Sequence, residues 1–250
     1  MALPKPSTNG SSTPESPQSP NHLLAVVDAK EFELLRPHLT AVDLHSREGL
    51  WEANRPIESI YFPHNAVISE VALAKGDDIA VEVGSIGCEG MLGLPVLFGS
   101  QSSVTRALVQ IAGRADRMDA AVLAREVNRH PSLRRILNLY AQGYVTQISQ
   151  STACNRLHSA EQRLARWLLI CRDRTGDNDL PMTHEIMALM LGVRRATVTE
   201  AAGLLQRRGM IRYRRGLVTV LDRAGLEATA CECYDIVRNE FDRLLGVRVG

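Results

Sequence analysis

Residues 191 to 209, LGVRRATVTEAAGLLQRRG, hold the densest set of groups that could do chemistry. Arg194 and Arg195 follow a glycine turn and open what reads as a helix, and Arg207 and Arg208 close it. The amino end of a helix carries partial positive charge and prefers carboxylates, so two guanidinium groups there call for an anionic partner. Arg212, Arg214 and Arg215 extend the run. From Asn155 to Arg215 twelve arginines and no lysine stand against six acids, whereas the whole chain has a formal net charge of only +1. The chain is therefore not a polycation throughout; its positive charge is local. Lysine is confined to Lys5, Lys30 and Lys75, which makes arginine a chain-wide choice but leaves the local excess over acids to be explained.

Other reactive groups are scattered. Cys88, Cys154, Cys171, Cys231 and Cys233 are an odd number with no CxxC pair, which argues against a disulfide framework. Cys231 and Cys233 fall in a helical pattern, where positions two apart do not share a face, so they read as buried free thiols and no metal site is expected. His45 and His64 have no HxH neighbour and no nearby glutamate at ligand spacing, so a metal-dependent barrel enzyme is disfavoured.

The elements that must position these groups follow from pattern. A chain of 250 residues, 45% hydrophobic, can bury one large or two modest cores. No run of about 18 uncharged apolar residues predicts a membrane span, and the amino end lacks the apolar centre of a secretory signal; a cytoplasmic location is expected. Residues 1–21 are polar and proline-rich and predict a disordered lead. HLLAVVDAKEFELLRPHL predicts short helices. From about 42 to 118, short alternating runs broken by Gly, Pro, Asn and Asp predict many strands, with a hairpin at the KGDD of 75–78; a β-roll spanning 22–131 is the expectation. Asp119 caps a helix that His130-Pro131 interrupts. A longer helix over 132–157 carries Leu133, Leu137, Tyr140 and Tyr144 at three- and four-residue spacing, a stripe suited to pairing with a symmetry mate, the alternative being an ordinary helix packed within the domain.

Ser159 and Gln162 form a capping box that opens an amphipathic helix, TGDNDLP reads as a loop, and Thr183 caps the next helix. Ala188, Gly192 and Val198 then meet the needs of two tightly crossed helices: a small residue, a turn glycine with positive φ, and an apolar residue. GMIRYRRGLVTVLD closes the unit as two short strands about Arg215-Gly216. Residues 158–250 thus predict a winged helix-turn-helix, and the fold class is α+β.

With GCEGMLGLPVLFG in the roll, CNRLHSAEQRLARWLL after the long helix and LPMTHEIMALMLGVRRATVTEAAGLLQRRGMIRYRRGLVTVLD beyond it, the chain resembles the Crp/Fnr superfamily of bacterial transcription regulators over nearly its whole length past the lead. The resemblance implies a jelly-roll sensor domain of the cyclic-nucleotide-binding type, a homodimer joined by the long helices, and a second helix, about Arg194 to Arg207, entering the major groove of double-stranded DNA at an inverted repeat. RNA polymerase is the further partner it implies. Arg195 sits where the family places a base-reading arginine. Glu200 occupies another reading position, where it either accepts from a cytosine amine or holds Arg195 or another arginine. Thr183, Thr197 and Thr199 offer hydroxyls to phosphate or base edges, Arg212, Arg214 and Arg215 neutralise phosphates from the wing, and Arg194, Arg207 and Arg208 add to the basic face. In the sensor, Gly90, Met91, Leu92 and Gly93, with Ser103 and Val104, align with the cyclic-nucleotide pocket. The carboxylate and the guanidinium that would grip ribose and phosphate are missing there, so cyclic AMP is not expected; the identity of a small-molecule effector is left open and no cofactor is predicted. The competing reading is a regulatory module of the same type that acts on a protein partner without DNA.

Overall fold

The computed structural model describes residues 19–73 and 80–246. The last residues assigned to the polar lead belong to the fold: Ser19 and Asn21 are buried, because Asn21 satisfies both ends of its amide. Its carbonyl accepts the Leu24 N–H that caps α1 (His22–Ala25), and its amide donates to the carbonyls of Pro63 and Gly90 at 2.8 and 2.9 Å. The rest of that lead, 1–18, lies outside the described residues. α2 (Ala29–Leu35) starts on Asp28 and ends in a 3-10 turn, Arg36–His38.

Seven strands follow, β1 (Thr40–Leu44), β2 (Gly49–Trp51), β3 (Ser59–Pro63), β4 (Val67–Leu73), β5 (Ala80–Ile86), β6 (Arg106–Ile111) and β7 (Gly113–Asp119), with a short α3 (Leu94–Leu97) between β5 and β6. They pair antiparallel in two sheets of order β1-β7-β3 and β2-β6-β4-β5. Ile60, Phe62, Ile68, Ala107, Val109, Ala115 and Met118 fill the core of this β-roll, as alternation of inward residues requires. β4 and β5 pair from Ile68–Ile86 to Leu73–Ala80; the expected KGDD turn between them lies outside the described residues.

Asp119 caps α4 (Ala120–Arg129) by accepting from Ala121 and Val122 N–H, and the step at Pro131 starts α5 (Pro131–Leu157). The carboxyl-terminal half runs α6 (Ala160–Thr175), β8 (Asp179–Pro181), α7 (His184–Leu191), α8 (Arg195–Arg207), β9 (Ile211–Arg214), β10 (Leu217–Val220), α9 (Arg223–Thr229) and α10 (Cys233–Leu245). The Ser159/Gln162 capping box is present at the start of α6. The stretch read as a loop supplies β8, which pairs with β10 so that the sheet order is β8-β10-β9. Three residues are too few to show a period; what makes the strand is Leu180, buried opposite Val218. A second core of Leu164, Trp167, Leu168, Met187, Val198, Leu205 and Val218 holds this half together.

The stripe on α5 packs within the single chain. Leu133, Leu137, Tyr140 and Tyr144 are only 1–5% exposed within a single chain. Tyr140 Oη donates to the Met91 carbonyl at 2.9 Å and Tyr144 Oη donates to Glu70. α10 lies along the same helix, placing the Phe241 ring 6.2 Å from that of Tyr140. The four residues predicted to meet a symmetry mate are covered by the roll and by the chain's own last helix. A helical stripe specifies that a face is buried, not whose atoms bury it.

Candidate nucleic-acid interface

α7 and α8 meet at a tight corner. Gly192 adopts φ 59° and ψ 39°, a left-handed conformation that a glycine reaches without a β-carbon penalty. Its N–H bonds the Leu189 carbonyl and that of Val193 bonds Ala188, while Val198 is fully buried beneath the crossing. Thr183 caps α7, its hydroxyl oxygen accepting the Ile186 N–H at 3.3 Å; the hydroxyl expected to meet a phosphate or base edge is engaged in starting the helix.

The amino end of α8 has no such cap. Arg194 is its N-cap residue and makes no side-chain capping bond, so the first N–H groups of the helix stay open, with Arg194 and Arg195 exposed beside them. Arg195 Nε lies 3.0 Å from Glu185 Oε1. Of the two roles left open for Glu200, holding Arg195 is taken instead by Glu185, from α7; Glu200 is exposed one turn along α8. The Glu185 carboxyl is kept below the usual range by a hydrogen bond to its own backbone and then by the Thr183 hydroxyl. Both members of the Arg195 pair face water, so a phosphate or a base edge can displace the glutamate.

Two side chains that the sequence did not single out brace this corner. His184 stacks on Tyr213 with ring centroids 4.2 Å apart, and its Nδ1 shares a hydrogen bond of 3.0 Å with the Thr199 hydroxyl, which also donates to the Arg195 carbonyl. Burial, reinforced by the charge of Arg195, lowers the His184 pKa, favouring a neutral ring. The stack joins α7 to β9, residues too far apart in sequence for any periodic signal to pair them.

The remaining arginines divide by geometry. Arg207 is exposed. Arg208 reaches back to Glu161 on α6 at 2.5 Å, which makes it a brace. Arg212 and Arg214 are exposed on β9 on either side of half-buried Tyr213, whose N–H donates to Gln206 Oε1 at 2.7 Å. Arg215 forms the exposed tip of the wing at φ 50°, followed by Gly216 at φ 79°, the pair of left-handed residues a two-residue hairpin needs. Thr197 is half-buried and Thr199 exposed.

The sensor residues aligned with a nucleotide pocket do not share one wall. Met91 and Leu92 are 1% exposed and face the core, whereas Val104 is 79% exposed. A β-carbon on Gly90 would sit 2.2 Å from the Tyr140 ring, so that tyrosine fills the space above it. Gly93 turns against Ile60, and the Ser103 hydroxyl bonds that of Thr105 at 2.7 Å. Arg106, the nearest guanidinium in sequence, pairs with Glu52 at 3.2 Å. His64 pairs with Asp116 at 2.9 Å.

A buried network that sequence reasoning missed joins the two halves. Arg174 of α6 pairs with Glu89 at 2.6 Å, both side chains 3% exposed. It also donates to the Ser85 hydroxyl and carbonyl and to Gln147 Oε1 at 2.7, 2.9 and 2.9 Å. Long-range pairing of this kind leaves no local pattern.

Comparison with known proteins agrees with this geometry. Residues 162–229 match the model of the Crp-like helix-turn-helix domain. No significant match was found among curated proteins. Among solved structures, FixK2 from Bradyrhizobium japonicum is similar at TM-score 0.65 and 16% identity, covering 77% of this chain and 98% of that one. The c-di-GMP-responsive global regulator CLP of Xanthomonas campestris gives 0.62 and 15%, covering 77% and 99%. A CRP-family transcriptional regulator from Thermus thermophilus gives 0.61 and 18%, covering 76% and 96%. Residues 162–229 thus form a Crp-like helix-turn-helix domain, and the chain around it shares the fold of these solved structures. No helix among the described residues is long and apolar enough to cross a membrane.

Proposed function

We propose that this chain is a cytoplasmic, sequence-specific transcription regulator that binds an inverted-repeat operator as a homodimer, with α8 in the major groove and the β9–β10 wing on the backbone. The observation that carries the reading is the uncapped amino end of α8, flanked by exposed Arg194 and Arg195 and accompanied on the same domain by the arginine-tipped wing. Open helix N–H groups and guanidinium groups together suit phosphate oxygens, and Arg195 suits a guanine edge. Since α10 covers the apolar stripe of α5, the mate meets its opposite face, where Asn138, Gln142, Val145, Ser149 and Thr152 are exposed at alternating spacings of four and three. RNA polymerase is the partner through which a bound dimer acts on transcription. The filled space over Gly90 and the engaged Arg106 argue against cyclic AMP as the effector.

The test is selection of bound sites from a random duplex pool, followed by mobility shift of the selected site and sedimentation of the free protein. A palindromic site with half-sites about one helical turn apart, a dimer at micromolar concentration, and a shift unchanged by cyclic AMP are expected. No shift with any duplex at low salt would favour the module that acts on a protein partner; a monomer selecting a non-palindromic site would remove the dimer.

A further inference from the structure

Three of the five cysteines converge where no local pattern joined them. Cys154 lies on the last turn of α5 and His158 is the residue that ends that helix, so the two share a face at i, i+4. The reading of Cys231 and Cys233 as two positions of one helix fails, because α9 stops at Thr229 and α10 begins at Cys233. Cys231 precedes the helix, and both sulfurs face α5, that of Cys231 toward Cys154 and that of Cys233 toward Gln150 and His158.

The three sulfurs and a ring nitrogen of His158 all lie within 4.8 Å of one another. Cys154 Sγ and Cys231 Sγ are 3.4 Å apart, and Cys233 Sγ is 3.5 Å from His158 Nδ1. With bonds of about 2.3 Å to sulfur and about 2.0 Å to nitrogen, tetrahedral ligand atoms stand about 3.5–3.8 Å from one another. The thiols are at most 3% exposed, and they form a cluster separate from both apolar cores.

The surroundings also fit a metal. His158 Nε2 lies 3.2 Å from Glu232 Oε1; a carboxylate there favours the tautomer in which the lone pair of Nδ1 faces the thiols, and it is the usual second partner of a metal-bound histidine. Gln150 Nε2 donates to Cys233 Sγ at 3.2 Å. From α6, buried Arg163 and Arg166 line the same recess as Cys154. Arg166 reaches Ser151, one turn before Cys154, at 3.1 Å, while its Nε and Nη1 have no hydrogen-bond partner among the described residues.

We propose that Cys154, His158, Cys231 and Cys233 bind one zinc ion through three thiolates and the Nδ1 of the imidazole. Thiolate-rich tetrahedral sets select this ion among common divalent metals. On binding, each thiol releases its proton to solvent, the ion accepts three sulfur lone pairs and one nitrogen lone pair, and no electron changes hands. The site then carries one net negative charge, which Arg163 and Arg166 compensate. Four protein ligands leave no open position, so the ion is structural: it fastens the end of the long helix to the segment between the wing and α10.

Full-length protein purified without chelator is assayed for metal by elemental mass spectrometry, then exchanged with cobalt(II) under nitrogen. One zinc per chain is expected, as is a cobalt spectrum with tetrahedral ligand-field bands and thiolate charge transfer that zinc bleaches. Cys154→Ser and Cys231→Ser lose both signals, whereas Cys88→Ser and Cys171→Ser, in thiols outside the cluster, keep them. Should the ligand variants fail to fold, Glu232→Ala decides the matter: its side chain is 69% exposed, and its loss lowers cobalt affinity about 10-fold or more. A protein without stoichiometric metal and without the cobalt spectrum would overturn the proposal. So would a cobalt spectrum that survives Cys154→Ser, an iron–sulfur chromophore, or a Cys154–Cys231 disulfide that excludes zinc from the protein as isolated.

Discussion

Arg195 and Arg215 are both exposed arginines of the same domain, and the proposed function gives them different work. Arg195 stands on the first turn of α8, held only by a solvent-facing glutamate; Arg215 forms the tip of the wing. Arg195→Ala is expected to cost about 1–3 kcal/mol on the selected operator and to relax preference at one base pair per half-site. Arg215→Ala weakens operator and random duplex alike, and flattens the slope of log affinity against log salt by about one unit per lost phosphate contact. Binding of both variants to both DNAs across a salt series checks this. Equal weakening on the two DNAs by Arg195→Ala, with altered base preference from Arg215→Ala, would show that α8 is not the reading element.

At the scale of elements, a buried carboxyl lies at the seam between β5 and α7. Glu82 on β5 accepts the Ser69 hydroxyl at 2.6 Å, and Ser69 in turn lies 3.5 Å from Met190 Sδ on α7. Burial pushes the Glu82 pKa up from 4.5 to about 7, against the hydrogen bond from Ser69 and the charges of Arg174 and Arg166. The folded state therefore binds more protons than the unfolded one between those values. Its stabilising contribution is full below pH 4.5 and is lost as pH rises to about 7. Glu70, raised in the same direction by burial, adds to the trend. Urea midpoints of the native protein should fall from pH 5 to pH 8, and Glu82→Gln should flatten that fall; an unchanged slope in the variant would place the titrating group elsewhere.

For the whole molecule, the clamp of Arg174 on Glu89, Ser85 and Gln147 ties the first helix of the carboxyl-terminal half to the roll and to α5. Arg174→Ala leaves the Glu89 carboxylate buried without its partner, and is expected to cost about 3–5 kcal/mol. Replacing both members with apolar residues of similar volume, as in Glu89→Leu with Arg174→Met, should restore much of that. Chemical denaturation of the three proteins separates the two cases; equal stability of wild type and Arg174→Ala would mean that the halves are held by their apolar contacts alone.

Local order was enough to place the caps at Asp119, Ser159 and Thr183, the turn at Gly192, the two helices it joins and the basic wing, because each is decided by residues within a few positions of one another. It was also enough to mark the stripe on α5 as buried and the positive charge as local. Tertiary packing alone decided what covers that stripe, since α10 arrives from a hundred residues further along. It likewise made Leu180 part of a strand, paired Arg195 with Glu185 instead of Glu200, set Tyr140 over Gly90 and joined Arg174 to Glu89. Most distinctively, it gathered Cys154, His158, Cys231 and Cys233, whose ligand atoms meet only where the end of one helix and the start of another are brought side by side. Hydrogen bonds, ion pairs and metal geometry act over a few ångströms in space whatever the separation along the chain.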